Sequence, residues 1–240
     1  MSEATLLLRL AGPLQSWGGS SRFTRRHTNA EPTKSGIVGM LAAAQGRRRT
    51  DPVEDLAGLR FGVRVDQPGV LVRDFQTASR RTERAGRSTE HVMPLSERFY
   101  LSDAVFLAGV QGPAEMVEAL EAALRNPRYA PVLGRRSCPP AGRLVLGVVS
   151  DPLGVALATH PWQGSRNHGG RRAPAPVHLM VVRDLEPGEG TTGAEREQDV
   201  PVSFDPTHRR FAWRWVRREL VANPDAGDAS PVHDAFAEVF

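Results

Sequence analysis

Residues 4–46 read ATLLLRLAGPLQSWGGSSRFTRRHTNAEPTKSGIVGMLAAAQG, and the fold turns on this stretch. Leu6 to Leu10 is a short apolar run of the kind that makes a buried strand, and it breaks at Ala11-Gly12-Pro13. A polar loop follows, carrying Arg22, Arg25, Arg26 and His27. Pro32-Thr33-Lys34-Ser35 then opens a helix in which Ile37, Met40, Leu41 and Ala44 recur with the spacing of one helix face. Thr33 is placed to cap the first turn, and Gly46 to close the last in the left-handed conformation. A basic loop leading into a helix start beside Lys34 offers N–H groups and positive charge together, which attracts phosphate.

Beyond Gly46, alternation over 59–66 predicts a strand with Phe61, Val63 and Val65 on one face, which Val70 to Val72 extends as a hairpin. Residues 74–98 lose apolar periodicity while gathering Arg80, Arg81, Arg84 and Arg87. A mobile surface loop is the plain reading, but a long basic insertion between strands more often carries function. Residues 99–110 read as one buried strand. Pro113 starts a helix with Met116, Val117, Leu120, Ala123 and Leu124 as its apolar stripe, and Asn126-Pro127 stops it. Residues 129–140 form a Gly- and Pro-rich loop with Arg135 and Arg136 at its centre, and 143–150 is a further strand. The order β-α-β-β-α-β is the ferredoxin-like arrangement shared with RRM RNA binders. No RNP-type aromatic motif stands on the first or third strand, so an ordinary RRM is excluded.

From Asp151 the pattern is less regular. A strand is expected over 178–183 and a flexible acidic loop over 186–198. Segments 200–204 and 211–216 pair through Asp205-Pro206. On the second of these, Trp213 and Trp215 share a face and read as a packed aromatic pair rather than a base-stacking surface. Residues 160–198 receive no site, and 223–240 read as a tail with at most a short helix.

The chain has 240 residues, an ordinary apolar share and a single cysteine, Cys138, so no internal disulfide framework is available. Cys138 reads as a small packing residue. No apolar segment approaches a membrane span and no charged-then-apolar leader precedes Ala4, so a cytoplasmic protein without a membrane partner is expected. The net charge is +4, and Lys34 is the only lysine. Basic residues cluster at 22–27, 47–49, 80–87, 135–136, 171–172, 209–210 and 214–218. Any one cluster alone is a solvated face, whereas several set between apolar elements suggest a surface that tracks phosphates.

Several chemistries are disfavoured. Thr33-Lys34-Ser35-Gly36 lacks the preceding glycine of a P-loop, the histidines lack zincin spacing, and no Gly-x-Ser-x-Gly elbow is present. No cofactor or metal site is expected. Metal-independent RNA cleavage needs a base, an acid and a cation for the phosphorane, which His27, Tyr100 and Lys34 could supply if the fold assembled them. Binding or packing is the favoured reading of these residues.

Residues 8–18, Leu-Arg-Leu-Ala-Gly-Pro-Leu-Gln-Ser-Trp-Gly, followed by Pro32-Thr33-Lys34-Ser35-Gly36, resemble the N-terminal signature of the CasD family of type I-E CRISPR Cascade. Asp74-Phe75-Gln76-Thr77, Tyr100-Leu101-Ser102-Asp103-Ala104 and Leu133-Gly134-Arg135-Arg136-Ser137-Cys138-Pro139 continue the match. The resemblance runs through about residue 150 and weakly to the hairpin at 204–216. It implies an α+β fold: a modified ferredoxin-like (RRM-like) palm over 1–150 with an inserted basic thumb at 74–98, and a smaller β-rich C-terminal region over 151–240. It also implies a non-catalytic, RNA-binding role in antiviral defence, capping the crRNA guide at its 5′ handle. The implied partners are a CasC-type backbone subunit, a CasA-type large subunit and, through the complex, target DNA. Type I-C relatives cut RNA, which keeps a crRNA-processing endoribonuclease as the alternative. On this reading Thr33, Lys34, Ser35 and Gly36 take a handle phosphate, and Arg22, Arg25, Arg26 and His27 line its path. Arg135, Arg136 and Ser137 grip phosphate or base edges, Arg80, Arg81, Arg84 and Arg87 serve the thumb, and Trp17 anchors the loop in the core.

Overall fold

The leucines that open the chain are buried on both faces of their strand, which is why the run is continuous rather than alternating. The structure, a computed structural model, describes residues 2–18, 24–84, 87–165, 167–168, 171–172 and 175–226. The first strand is β1 (Glu3–Ala11), followed by β2 (Leu14–Gln15), β3 (Arg25–Arg26), α1 (Lys34–Ala44), α2 (Glu54–Ala57) and β4 (Arg60–Gln67). Next come β5 (Val70–Gln76), β6 (Ser79–Arg84), β7 (Arg87–Val92), β8 (Ser96–Ser102), β9 (Val105–Pro113) and α3 (Ala114–Arg125). The C-terminal part holds β10 (Val145–Val149), α4 (Leu153–Thr159), β11 (Asn167–His168), β12 (Arg171–Arg172), β13 (His178–Asp184), β14 (Glu195–Ser203) and β15 (Arg210–Ala222).

Seven strands make the main sheet in the order β10-β1-β9-β4-β13-β15-β14, with every neighbour antiparallel. The C-terminal strands therefore continue the edge at β4 instead of building a sheet of their own. Helices α1 and α3 cover one face, burying Ile37, Leu41, Val117 and Leu120 against Leu6, Leu8, Phe61, Phe106 and Val110. Thr33 caps α1 by accepting the Gly36 N–H, and Gly46 follows the helix at φ 83°, as the sequence suggests. The short helix α4 covers the other face over Leu7, Leu107 and Val181. Its seven residues are too few for a periodic signal, so the sequence showed only irregularity there. Arg64, fully buried on that face, fastens α4 by donating to the carbonyls of Leu157, His160 and Pro161 while forking onto Asp66. No helix among the described residues is long and apolar enough to cross a membrane.

Several expectations change. The run 99–110 is two strands in different sheets, because Asp103 takes φ 56° and turns the chain between β8 and β9. Val70 to Val72 belong to β5, which pairs with β8 rather than β4. Residues 74–98 form a β-ribbon, β5 with β8 and, toward the tip, β6 with β7. Solvent on both sides of the tip removes the alternation that would have announced it. Cys138 is buried, and burial pushes its thiol up, in keeping with a packing role. Trp213 and Trp215 share a face of β15 but are 54% and 44% exposed, so they are not a packed pair.

The acidic stretch 186–198 is not a free loop. Glu189 holds Arg183 and Arg217, Glu195 and Glu197 hold Arg218, and β14 already starts at Glu195. The basic run 214–218 is thus largely neutralised inside the chain. Hydrogen bonds from Arg183 and the Glu186 N–H hold the Glu189 carboxyl down at about 2, against an ordinary 4.5. A depressed carboxyl contributes stability above its unfolded pKa and loses it as pH falls through the folded value. The Tm gap between wild type and Glu189→Gln should therefore be open at neutral pH and close between about 4.5 and about 2. A gap unaffected by pH would contradict this assignment.

Candidate nucleic-acid interface

The polar loop after β1 is pinned at both ends. Gln15 donates to the carbonyls of Leu10 and Ala104 and accepts the Trp17 indole N–H, and Trp17 is fully buried as an anchor. Trp17 also bridges to Asn29, closing the loop on itself. At the far end β3 runs parallel to β8, pairing Arg25 with Glu97 and Arg26 with Arg98. Two exposed arginines are thereby zipped to a strand whose next residues are Phe99 and Tyr100.

The loop 129–140 reaches the same place. Its turn is closed by Leu133 N–H to the Cys138 carbonyl and Cys138 N–H to the Arg135 carbonyl, while Ser16 N–H donates to the Leu133 carbonyl. Gly134 sits at φ 85° with its Cβ position only 1.9 Å from the Ser16 carbonyl oxygen, so no side chain fits there. This close approach delivers Arg135 to the polar loop. One of its nitrogens, Nη2, donates to the Arg26 carbonyl at 2.9 Å and the His27 carbonyl at 3.4 Å. Its guanidinium carbon lies 4.8 Å from the centre of the Tyr100 ring. His27 stacks on Phe99 at 4.8 Å between ring centres, and Arg25 stands over that ring at 5.4 Å.

Glu97 lies 3.8 Å from Arg25 and 3.9 Å from Arg73, and Asp74 stands opposite Arg98 in the β5–β8 register. Arg25, Arg73, Arg98, Arg135 and Arg136 gather here, so among the described residues basic side chains outnumber acidic ones. Among the described residues, Arg135 Nη1 and Arg98 Nε are buried donors without a hydrogen-bond partner. Glu97 Oε2 is a buried acceptor in the same state, so the polar atoms of this group are incompletely satisfied within the chain. Arg136 and Ser137 are exposed on the rim. Sequence reasoning missed Phe99, Arg98 and Arg73, because the run from Phe99 reads as one core strand. An Arg-Phe-Tyr sequence beside a basic insertion was the available signal.

The helix start is a correction. Lys34 is buried, its amine 3.0 Å from Asp184 and its backbone N–H 2.7 Å from Asp199. The anion at the N-terminus of α1 is thus a carboxylate of the chain itself. Thr33 and Ser35 are buried beside it, and a Cβ on Gly36 would meet the Trp17 ring at 2.9 Å, so that glycine makes room for tryptophan. All four residues are structural here. Arg214 completes the group with bonds to Asp184, Asp199 and Glu197. Burial works against the Arg214 charge, but Asp199 and Asp184 outweigh it and hold its pKa above the ordinary arginine value.

Arg80 and Arg81 lie exposed on β6, where Arg81 donates to Ser88 at 2.5 Å. Arg84 and Arg87 face each other across the end of the ribbon in backbone register, and Arg22 lies outside the described residues. The cleavage trio is not assembled: Tyr100 is buried beneath Arg135, and the Lys34 amine is committed to Asp184.

Comparison with known proteins places this arrangement in context. The family model described as CRISPR-associated protein (Cas_Cas5) matches residues 5–217. The CRISPR system Cascade subunit CasD of Escherichia coli (strain K12) is 36% identical over 177 residues, covering 66% of this chain and 78% of that protein. A solved structure described as a CRISPR RNA-guided surveillance complex aligns at TM-score 0.75 and 36% identity, covering 92% of this chain and 91% of that one. A crystal structure of a Cas protein aligns at TM-score 0.68 and 41% identity, over 91% and 95% of the two chains. With a basic, ring-backed surface at the meeting of two loops and this extent of matching, the chain belongs to the Cas5 family of CRISPR-associated proteins.

Proposed function

We propose that this chain is the non-catalytic, crRNA-binding subunit of a type I-E Cascade complex, holding the 5′ handle of the guide. The observation that carries the reading is the surface made by Arg25, Arg26, His27, Phe99 and Arg135, with its unpartnered Arg135 and Arg98 donors. Guanidinium forks recognise phosphates, and the exposed His27 ring, backed by the buried Phe99, supports a stacked base. The 36% identity to CasD supports the subunit assignment. Residues 1–150 form a modified ferredoxin-like palm, which the order β10-β1-β9-β4 supports: numbered along the β-α-β-β-α-β chain it reads fourth, first, third, second. The ribbon from β5 to β8 is the thumb, longer than 74–98 by its basal residues, and 151–240 is the smaller C-terminal part.

In this reading a CasC-type backbone subunit meets the thumb, a CasA-type large subunit docks nearby, and target DNA is reached through the complex, in the cytoplasm. The chain should bind a labelled repeat RNA in EDTA and leave it intact, as read on a denaturing gel. Specific cleavage lost on His27→Ala would instead establish the endoribonuclease alternative.

A further inference from the structure

The far end of the main sheet carries a second aromatic and basic surface. Strand β15 is regular from Arg210 onward, so Phe211, Trp213 and Trp215 project from one face, opposite the buried Arg214 and Val216. Along a strand, alternate residues stand roughly 7 Å apart. Arg196, across from Trp215 on β14, holds its guanidinium carbon 5.0 Å from the Trp213 ring centre and 5.7 Å from that of Trp215. Arg209 does the same for Phe211 at 5.1 Å. A chain that needed these rings only for packing would have covered them, yet both tryptophans stay about half exposed.

The charges of the hairpin divide sharply. Arg214, Arg217 and Arg218 are each matched by carboxylates, whereas among the described residues Arg196 has a stacked ring pair and no carboxylate. A guanidinium lying on a ring keeps its N–H edge free for phosphate. Ring planes and a guanidinium edge on one face are suited to base planes and phosphates. We propose that Phe211, Trp213, Trp215 and Arg196 form a stacking surface for an unpaired nucleic-acid strand, separate from the surface at Arg135. Exposed rings flanked by arginine are the general means of holding single strands without reading their sequence.

The test is fluorescence anisotropy of labelled (dT)12 against the full chain, at two salt concentrations. Trp213→Leu/Trp215→Leu should weaken binding by about tenfold or more, since each ring–base stack is lost. Arg196→Ala, which leaves both rings in place, should weaken binding and reduce the log–log salt slope by about 0.7. Arg135→Ala should weaken (dT)12 binding by less than the double leucine variant does. Unchanged affinity in both the leucine and the Arg196 variants overturns the proposal. So does equal loss in Arg135→Ala.

Discussion

Arg214→Met is expected to lower stability by about 3–5 kcal/mol, because it removes the shared cation and leaves its carboxylates facing one another in a buried site. Against a typical total of about 5–15 kcal/mol, that is a large share, equivalent to a Tm drop on the order of 10 °C. The argument is specific to Arg214. It bonds Asp184, Asp199 and Glu197, and those carboxylates in turn hold the Lys34 amine, the Lys34 N–H, the Phe61 N–H and Arg218. One guanidinium thus ties β15 and β14 to β13, β4 and the start of α1. Adding Asp199→Asn should recover part of the loss, because asparagine still accepts the Lys34 N–H while removing one uncompensated charge. Thermal unfolding of the single and double variants decides it, and a single variant within experimental error of wild type would sink the claim.

Arg135→Ala is expected to weaken binding of handle RNA by roughly ten- to a hundredfold, the range of a lost charge-assisted hydrogen bond. Nη2 holds the polar loop through the Arg26 and His27 carbonyls, while Nη1 has no partner among the described residues. Arg135→Lys keeps the charge but loses the fork, so it should recover only part of the affinity. Full recovery with lysine would mean that charge alone matters, and the fork geometry would then be irrelevant to function.

What the sequence made legible follows from where each interaction lies along the chain. Helix α1 was readable because its stripe, its Thr33 cap and Gly46 are local features. The fate of Lys34 was not, since Asp184 and Asp199 stand 150 and 165 residues away. Without them a helix start next to a lysine looks like a phosphate site. The Gly-Pro loop around Arg135 was visible from composition, but its grip on the Arg26 carbonyl spans 109 residues. The turn at Asp103 was hidden by the apolar runs 99–101 and 104–108 around it, which merged β8 and β9 into one expected strand. The ribbon left no periodic trace because water reaches both of its faces. The arginines at 214–218 looked like a binding patch until the acidic stretch before them proved to be their partner.

The most direct measurement is a mobility shift of the purified chain with two labelled RNAs of equal length, one bearing the 5′ handle sequence and one scrambled, in EDTA at low and moderate salt. Intact RNA, tighter binding to the handle RNA than to the scrambled one, and weakening of both as salt rises are expected. Equal affinity for the two RNAs, or a shift indifferent to salt, would contradict the proposed function.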